Sequence, residues 1–286
     1  MKLLNIFLKK SKNKKINIGI GLGDNLSHNI EIINVVEKFL TSNNSTIFLF
    51  CTTSTAEKLR EFYNNNLFIK RLNVIENESP ETTIISYLKQ RKVDGIIRGG
   101  LSANKFLKQL KSDFKLKYIN RLALLETIQG EQFFFGPVGI DECRNQDEKI
   151  NFINKALGEF ERFNLAPIIS ILSGGRKGDI GRDSAVDKTI KEAEHVVNFF
   201  KENDPKLAIF HDEILIENAI SRGANLIIAP NGIAGNLIYR TLVHLGGGKA
   251  YGAIYMGINK PIIDTSRVGK PSEIYGALIM LLALTN

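Results

Sequence analysis

Compact apolar runs of four to six residues alternate with longer stretches in which apolar positions recur every three or four residues, the pattern of parallel strands joined by crossover helices. In the N-terminal half the runs predict strands at 16–20, 46–51, 71–74, 93–97 and 133–136. Helices are expected over 30–40, 56–64, 81–91 and 148–164. In the C-terminal half strands fall at 168–172, near 207, at 226–229 and at 253–256. The helices there are expected from about 186 to 203, from 212 to 222, from 236 to 245 and from about 272 onward. The class this predicts is α/β.

Gly136-Pro137-Val138-Gly139 breaks the alternation, so a domain crossover is expected near residue 140. The last apolar run, Ala277 to Leu284, is shorter than the roughly 20 residues that cross a bilayer and reads as a buried helix.

Composition narrows the partners. The chain has 286 residues, is 43% hydrophobic and carries a net charge of +8. Its lysines are dispersed apart from the cluster Lys9 to Lys15, without the aromatic-interleaved basic stripe that nucleic acid calls for. An anionic small molecule is the expected partner, with no nucleic acid and no membrane. Cys51 and Cys143 are far apart and lack metal-site spacing, which suggests a reducing compartment. The N-terminus runs apolar first and basic after, the reverse of a secretory signal, so a cytoplasmic location is expected. The four histidines, His28, His195, His211 and His244, lack ligand spacing, and no metal site is expected.

Three strand ends bring glycine to where a chain could approach a ligand: Gly19-Ile-Gly21-Leu-Gly23-Asp24, Ser173-Gly-Gly-Arg-Lys177-Gly178, and Pro230-Asn231-Gly232-Ile-Ala234-Gly235-Asn236. Ligands of open α/β sheets sit beyond the carboxyl ends of strands, where helix N-termini offer N–H groups to anions. The first loop departs from GxGxxG and has no acidic residue closing the second strand; its glycines serve equally for tight packing. The second adds Arg176, Lys177 and Arg182, and reads either as an anion loop or as an exposed mobile one. In the third, Gly232 and Gly235 are expected to take unusual backbone angles, and Gly246 to Gly248 to end the helix. Further on, Ser266, Arg267 and Glu273 could bind, clamp and deprotonate a substrate, although Ser272-Glu273 also looks like a helix cap.

Pro230, Ala234-Gly235-Asn236, Leu245-Gly246-Gly247, Gly257, Pro261, Asp264 and Ser266-Arg267 resemble, in order and spacing, the phosphate acetyl/butyryl transferases and the related PlsX acyl-phosphate synthases. Weaker likenesses, at Val93-Asp94-Gly95, Arg98-Gly99-Gly100 and Lys177-Gly178 among others, extend over most of the chain. The whole pattern is most similar to the archaeal MtxX branch, the methanogenesis marker protein 4 group labelled as methyltransferases.

That resemblance implies a two-domain, three-layer fold of the isopropylmalate-dehydrogenase and phosphotransacetylase type, with an interdomain cleft. The domains would be 1–140 plus 253–286, and 141–252, in a homodimer. It implies Ser266 and Arg267 as an anion clamp and Glu273 as the base. Substrate contacts would come from Asn231, Gly232, Ala234, Gly235, Asn236, Lys177, Gly178, Arg98, Gly257 and Asp264. Coenzyme A or an acyl phosphate is the implied substrate, and no cofactor is firmly implied.

The sequence departs from the family at Asn231 for aspartate, Ile216 for glutamine, Val268 for glycine and Glu273 for aspartate. A methyltransferase linked to methanogenesis, or a non-catalytic sensor or assembly factor on the same fold, therefore stands as an alternative.

Overall fold

The computed structural model describes residues 2–63 and 71–285. The chain divides into two compact units, residues 1–119 with 250–286, and residues 120–249.

The first unit begins with helix α1 (Leu3–Ser11), followed by β1 (Asn17–Gly21), α2 (Leu26–Ser42), β2 (Thr46–Cys51), α3 (Thr53–Phe62), β3 (Leu72–Glu76), α4 (Pro80–Lys89), β4 (Gly95–Ile97) and α5 (Ala103–Phe114). The second unit contains β5 (Arg121–Glu126), β6 (Gln132–Gly136), α6 (Gln146–Phe163), β7 (Ile168–Leu172), α7 (Ser184–Asn203), β8 (Ala208–Glu213), α8 (Ile216–Ser221), β9 (Leu226–Ile228) and α9 (Gly232–Arg240). The chain then returns to the first unit with β10 (Lys249–Tyr255), β11 (Ile262–Asp264) and α10 (Pro271–Leu284).

Strands of the first unit lie in the order β3-β2-β1-β4-β11-β10. All neighbours are parallel except β10 and β11. Because β2 and β4 flank β1 on opposite sides, the sheet order reverses between β1 and β4. Side chains alternate between the two faces of a strand, and two glycines show which helices cover each. A Cβ on Gly95 would meet Leu281 of α10, and one on Gly19, in the other pleat, would meet Ile84 of α4. Helix α10 also packs on α1 and α2, while α4 packs on α5. The α4/α5 side holds a core of Phe50, Ile84, Leu88, Ile96, Phe106 and Leu110, each completely buried.

The C-terminal apolar run forms the inner helix its composition predicts, with Leu278 and Leu281 fully buried in α10. Among the described residues, no helix is long and apolar enough to cross a membrane.

In the second unit the order is β5-β6-β9-β7-β8, with β5 antiparallel to β6 and the other neighbours parallel. Strand β6 pairs with β9 through Phe134, Phe135 and Gly136. This register draws 120–140 into the second unit, where the sequence reading assigns them to the first.

Other differences are local. Asp212 and Glu213 belong to β8 instead of opening a helix, because Ser173 N donates to Glu213 O at 2.8 Å and continues the β7 pairing. The expected end of the second helix at Asn64 lies outside the described residues. Helices α1 and α5 and strands β5 and β11 are absent from the apolar-run segmentation; β11 is only three residues long.

Candidate functional site

In the first unit the candidate residues gather where β4 and β11 end and α10 begins. Pro271 occupies the first turn of α10 with Lys270 as its cap, so Ser272 lies inside the helix and is not the cap. Glu273 follows in that same turn, 3% exposed, where a carboxylate is favoured by the helix dipole. Its Oε1 accepts a hydrogen bond from Ser266 N at 2.9 Å. The loop then tightens around Ser266: Val268 N donates to Ser266 Oγ at 3.3 Å and Gly269 N to Ser266 O at 3.0 Å. A Cβ on Gly269 would stand 2.4 Å from Glu273 Oε2, so glycine gives the carboxylate its room. Arg267 is exposed on this loop.

Arg98 and Asp264 meet each other. The Arg98 guanidinium, 4% exposed, pairs through Nε with Asp264 Oδ1. It also donates to Thr265 O and, at 2.7 Å, to Leu101 O. These bonds fasten the loop after β4 to the segment that carries Ser266 and Arg267. Gly257 turns the chain after β10 with φ +77°.

The glycines of the first loop serve packing. A Cβ on Gly23 would lie 2.1 Å from Gly100 O, and one on Gly21 would collide with Leu101 and with Arg98 O. Gly99 takes φ +60° with Gly21 O directly beside it, and Gly100 N donates to Gly21 O at 2.9 Å. Asn29 completes the lacing by bonding both N and O of Gly23. The loops after β1 and β4 are therefore held backbone to backbone, an approach that side chains would prevent.

A cavity of about 400 Å³ opens at the carboxyl ends of β1 to β4, and Arg267 and Val268 line it. Thr52 and Ser102, which cap α3 and α5, line it as well, as does Asn25, the cap of α2. His28 is 5% exposed and lines it too. Its Nδ1 faces Glu31 at 3.8 Å, whereas Nε2 is buried without a hydrogen-bond partner. Burial holds the imidazole below its ordinary pKa, against the opposing pull of Glu31 and with a smaller contribution from Arg98.

In the second unit Asn231 caps α9, its side chain accepting from Ala234 N at 2.9 Å. Gly232 and Gly235 do not adopt positive φ, so the expectation of unusual backbone angles is corrected. They are there for contact: a Cβ would lie 1.8 Å from Gly139 O at the first and 1.9 Å from Pro137 O at the second. Asn236 Nδ2 donates to Val138 O at 2.9 Å and secures the same contact. Gly246 caps the π-helical turn Thr241–Leu245 that continues α9, and Gly247 follows with φ +72°.

Lys177 begins a 3₁₀ turn, Lys177–Asp179, on the loop after β7. Its ammonium pairs with Glu194 at 2.8 Å, which raises its pKa, and its N–H donates to Glu213 at 3.1 Å. Gly178 has open space around it. On the same loop, Ser173 Oγ lies 2.9 Å from His211 Nε2 and also donates to Gly175 O. The Ser173–His211 pair, like His28 in its cavity, is not indicated by the sequence. His211 precedes Asp212 without a motif, and the α2 periodicity shows only that His28 lies on its inner side.

Residues 73–282, which include the whole of the second unit, match the phosphate acetyl/butaryl transferase family. The chain belongs to this family, and is accordingly of the transferase class.

Among individual proteins, the chain is 43% identical over 198 residues to the "Putative methyltransferase mtx subunit X" of Methanosarcina barkeri, covering 69% of this chain and 72% of that one. It is 37% identical over 205 residues to the "Uncharacterized methyltransferase MJ1371" of Methanocaldococcus jannaschii, covering 70% and 82%. In fold it is similar to the EutD phosphotransacetylase from Staphylococcus aureus, with a TM-score of 0.69, 17% identity, and coverage of 99% of this chain and 98% of that one.

Proposed function

We propose that the protein transfers an acyl or similar small carbon unit on an anionic, phosphate- or coenzyme A-bearing substrate. Ser266 and Arg267 hold the anion and Glu273 accepts the proton. The observation that carries this is the Ser266 N–Glu273 Oε1 bond, which sets the base beside the residues of the clamp. A carboxylate so placed can take a proton from a nucleophile, and an arginine can match the oxygens of a phosphoryl group bidentately.

Calorimetric titration with coenzyme A and acetyl-CoA, followed by an acetyl-phosphate assay, tests this reading. Binding and turnover by the wild type, both lost in Arg267→Ala, are expected. Unchanged binding and turnover in the variant would rule it out.

A second reading, methyl transfer, is favoured by the names of the relatives at 43% and 37% identity. Transfer of a labelled methyl group from a methyl carrier to an acceptor, in the absence of acyl exchange, would select it.

A further inference from the structure

The first-unit cavity has the features of a ligand site independent of family likeness. It lies at the carboxyl ends of four parallel strands, at the reversal of order between β1 and β4, the position where open α/β sheets hold ligands. Its volume of about 400 Å³ suits a small metabolite. The N-termini of α2, α3, α4 and α5, each at least ten residues long, converge on it, and their dipoles favour an anion.

His28 supplies the second observation. A buried polar atom without a partner is costly, and a neutral imidazole whose Nδ1 faces Glu31 leaves Nε2 as an acceptor. A ligand O–H or N–H would satisfy it.

Charge limits the ligand further. Arg267 and Lys105 line the cavity, but so do Asp24, Glu78 and Glu81. With two cations and three carboxylates the formal charge of this lining is −1, so a phosphate is held by direct contact with Arg267 and Lys105 and not by a net positive field. Carboxylates are also the natural acceptors for sugar hydroxyls.

We propose that this cavity binds a hydroxylated phosphate monoester. The phosphate lies on Arg267 and Lys105, and a ligand hydroxyl or amino group donates to His28 Nε2. The proposal rests on the transferase reading of Arg267 and names the substrate class of that site. Ribose 5-phosphate and a nucleoside monophosphate share this chemistry.

Calorimetry on the full chain with ribose 5-phosphate, AMP, ribose and adenosine tests it. At least one monophosphate should bind, and the unphosphorylated compounds should bind at least tenfold more weakly. His28→Phe and Lys105→Glu should each weaken the monophosphate by about tenfold, the effect of one lost hydrogen bond or charge contact. Equal affinity for the two monophosphates identifies a sugar-phosphate site; preference for AMP identifies a nucleotide site. Should His28→Phe fail to fold, the exposed Lys105→Glu carries the test alone.

Absence of binding by either monophosphate, or binding unchanged in the folded variants, overturns the proposal. Coenzyme A binding that survives in the same titrations would separate this failure from failure of the transferase reading.

Discussion

Glu273 Oε1 accepts the backbone N–H of Ser266 at 2.9 Å, so one buried carboxylate shapes the loop that carries Arg267 and is also the base of the proposed function. The two roles separate on substitution. Glu273→Gln keeps an amide oxygen for Ser266 N but cannot accept a proton at neutral pH. Transfer activity should fall by about 10²–10⁴-fold with little change in melting temperature. Glu273→Ala should lower both. Steady-state kinetics alongside thermal melts distinguishes these outcomes.

The Arg98–Asp264 pair joins residues 166 positions apart and is buried on both sides. Removing one member leaves a buried charge. Asp264→Ala is expected to cost about 3–5 kcal/mol in urea unfolding, well above the median for surface ion pairs. A cost near zero would show that the pair does not hold the loop.

Close backbone contact between the loops after β1 and β4 makes Gly23 and Gly99 sensitive. Gly23→Ala places a methyl group 2.1 Å from Gly100 O, and Gly99→Ala strains a residue at φ +60°. Each should destabilise by more than about 1 kcal/mol. Gly178→Ala, in open space at negative φ, should change stability by less than about 0.5 kcal/mol. Chemical denaturation of the three variants reads the contrast.

Burial pushes the Cys51 thiol up to about 12 and raises Cys143 well above its ordinary value. Both are free and buried. A thiol reagent at pH 8 should therefore label neither in the folded protein and both after denaturation, as counted by intact mass. Rapid labelling of the native chain would contradict this burial.

The apolar runs 46–51 and 168–172 coincide with β2 and β7, and the run to Leu284 with α10, because strands and helices buried on more than one side must be apolar almost throughout. The family, too, is legible in the segment from Pro230 to Arg267, whose glycines, prolines and charged residues resemble it in order and spacing and which lies within the matched residues 73–282.

Pairing partners decided what the sequence left open. Strand β6 reads like any apolar strand, and only its register with β9 places it in the second unit. Gly23 and Gly232 signal a special backbone, but the sequence does not reveal that the demand is a carbonyl about 2 Å from where a Cβ would stand and not a positive φ. Arg98 and Asp264 are expected as substrate contacts, and only the fold shows that they pair with each other. His28 is one polar residue on an amphipathic helix, and its unpartnered nitrogen exists only once folding buries it at the cavity. Local periodicity determines which segments are helix or strand; contacts between distant residues determine which polar groups are satisfied by protein and which remain for a ligand.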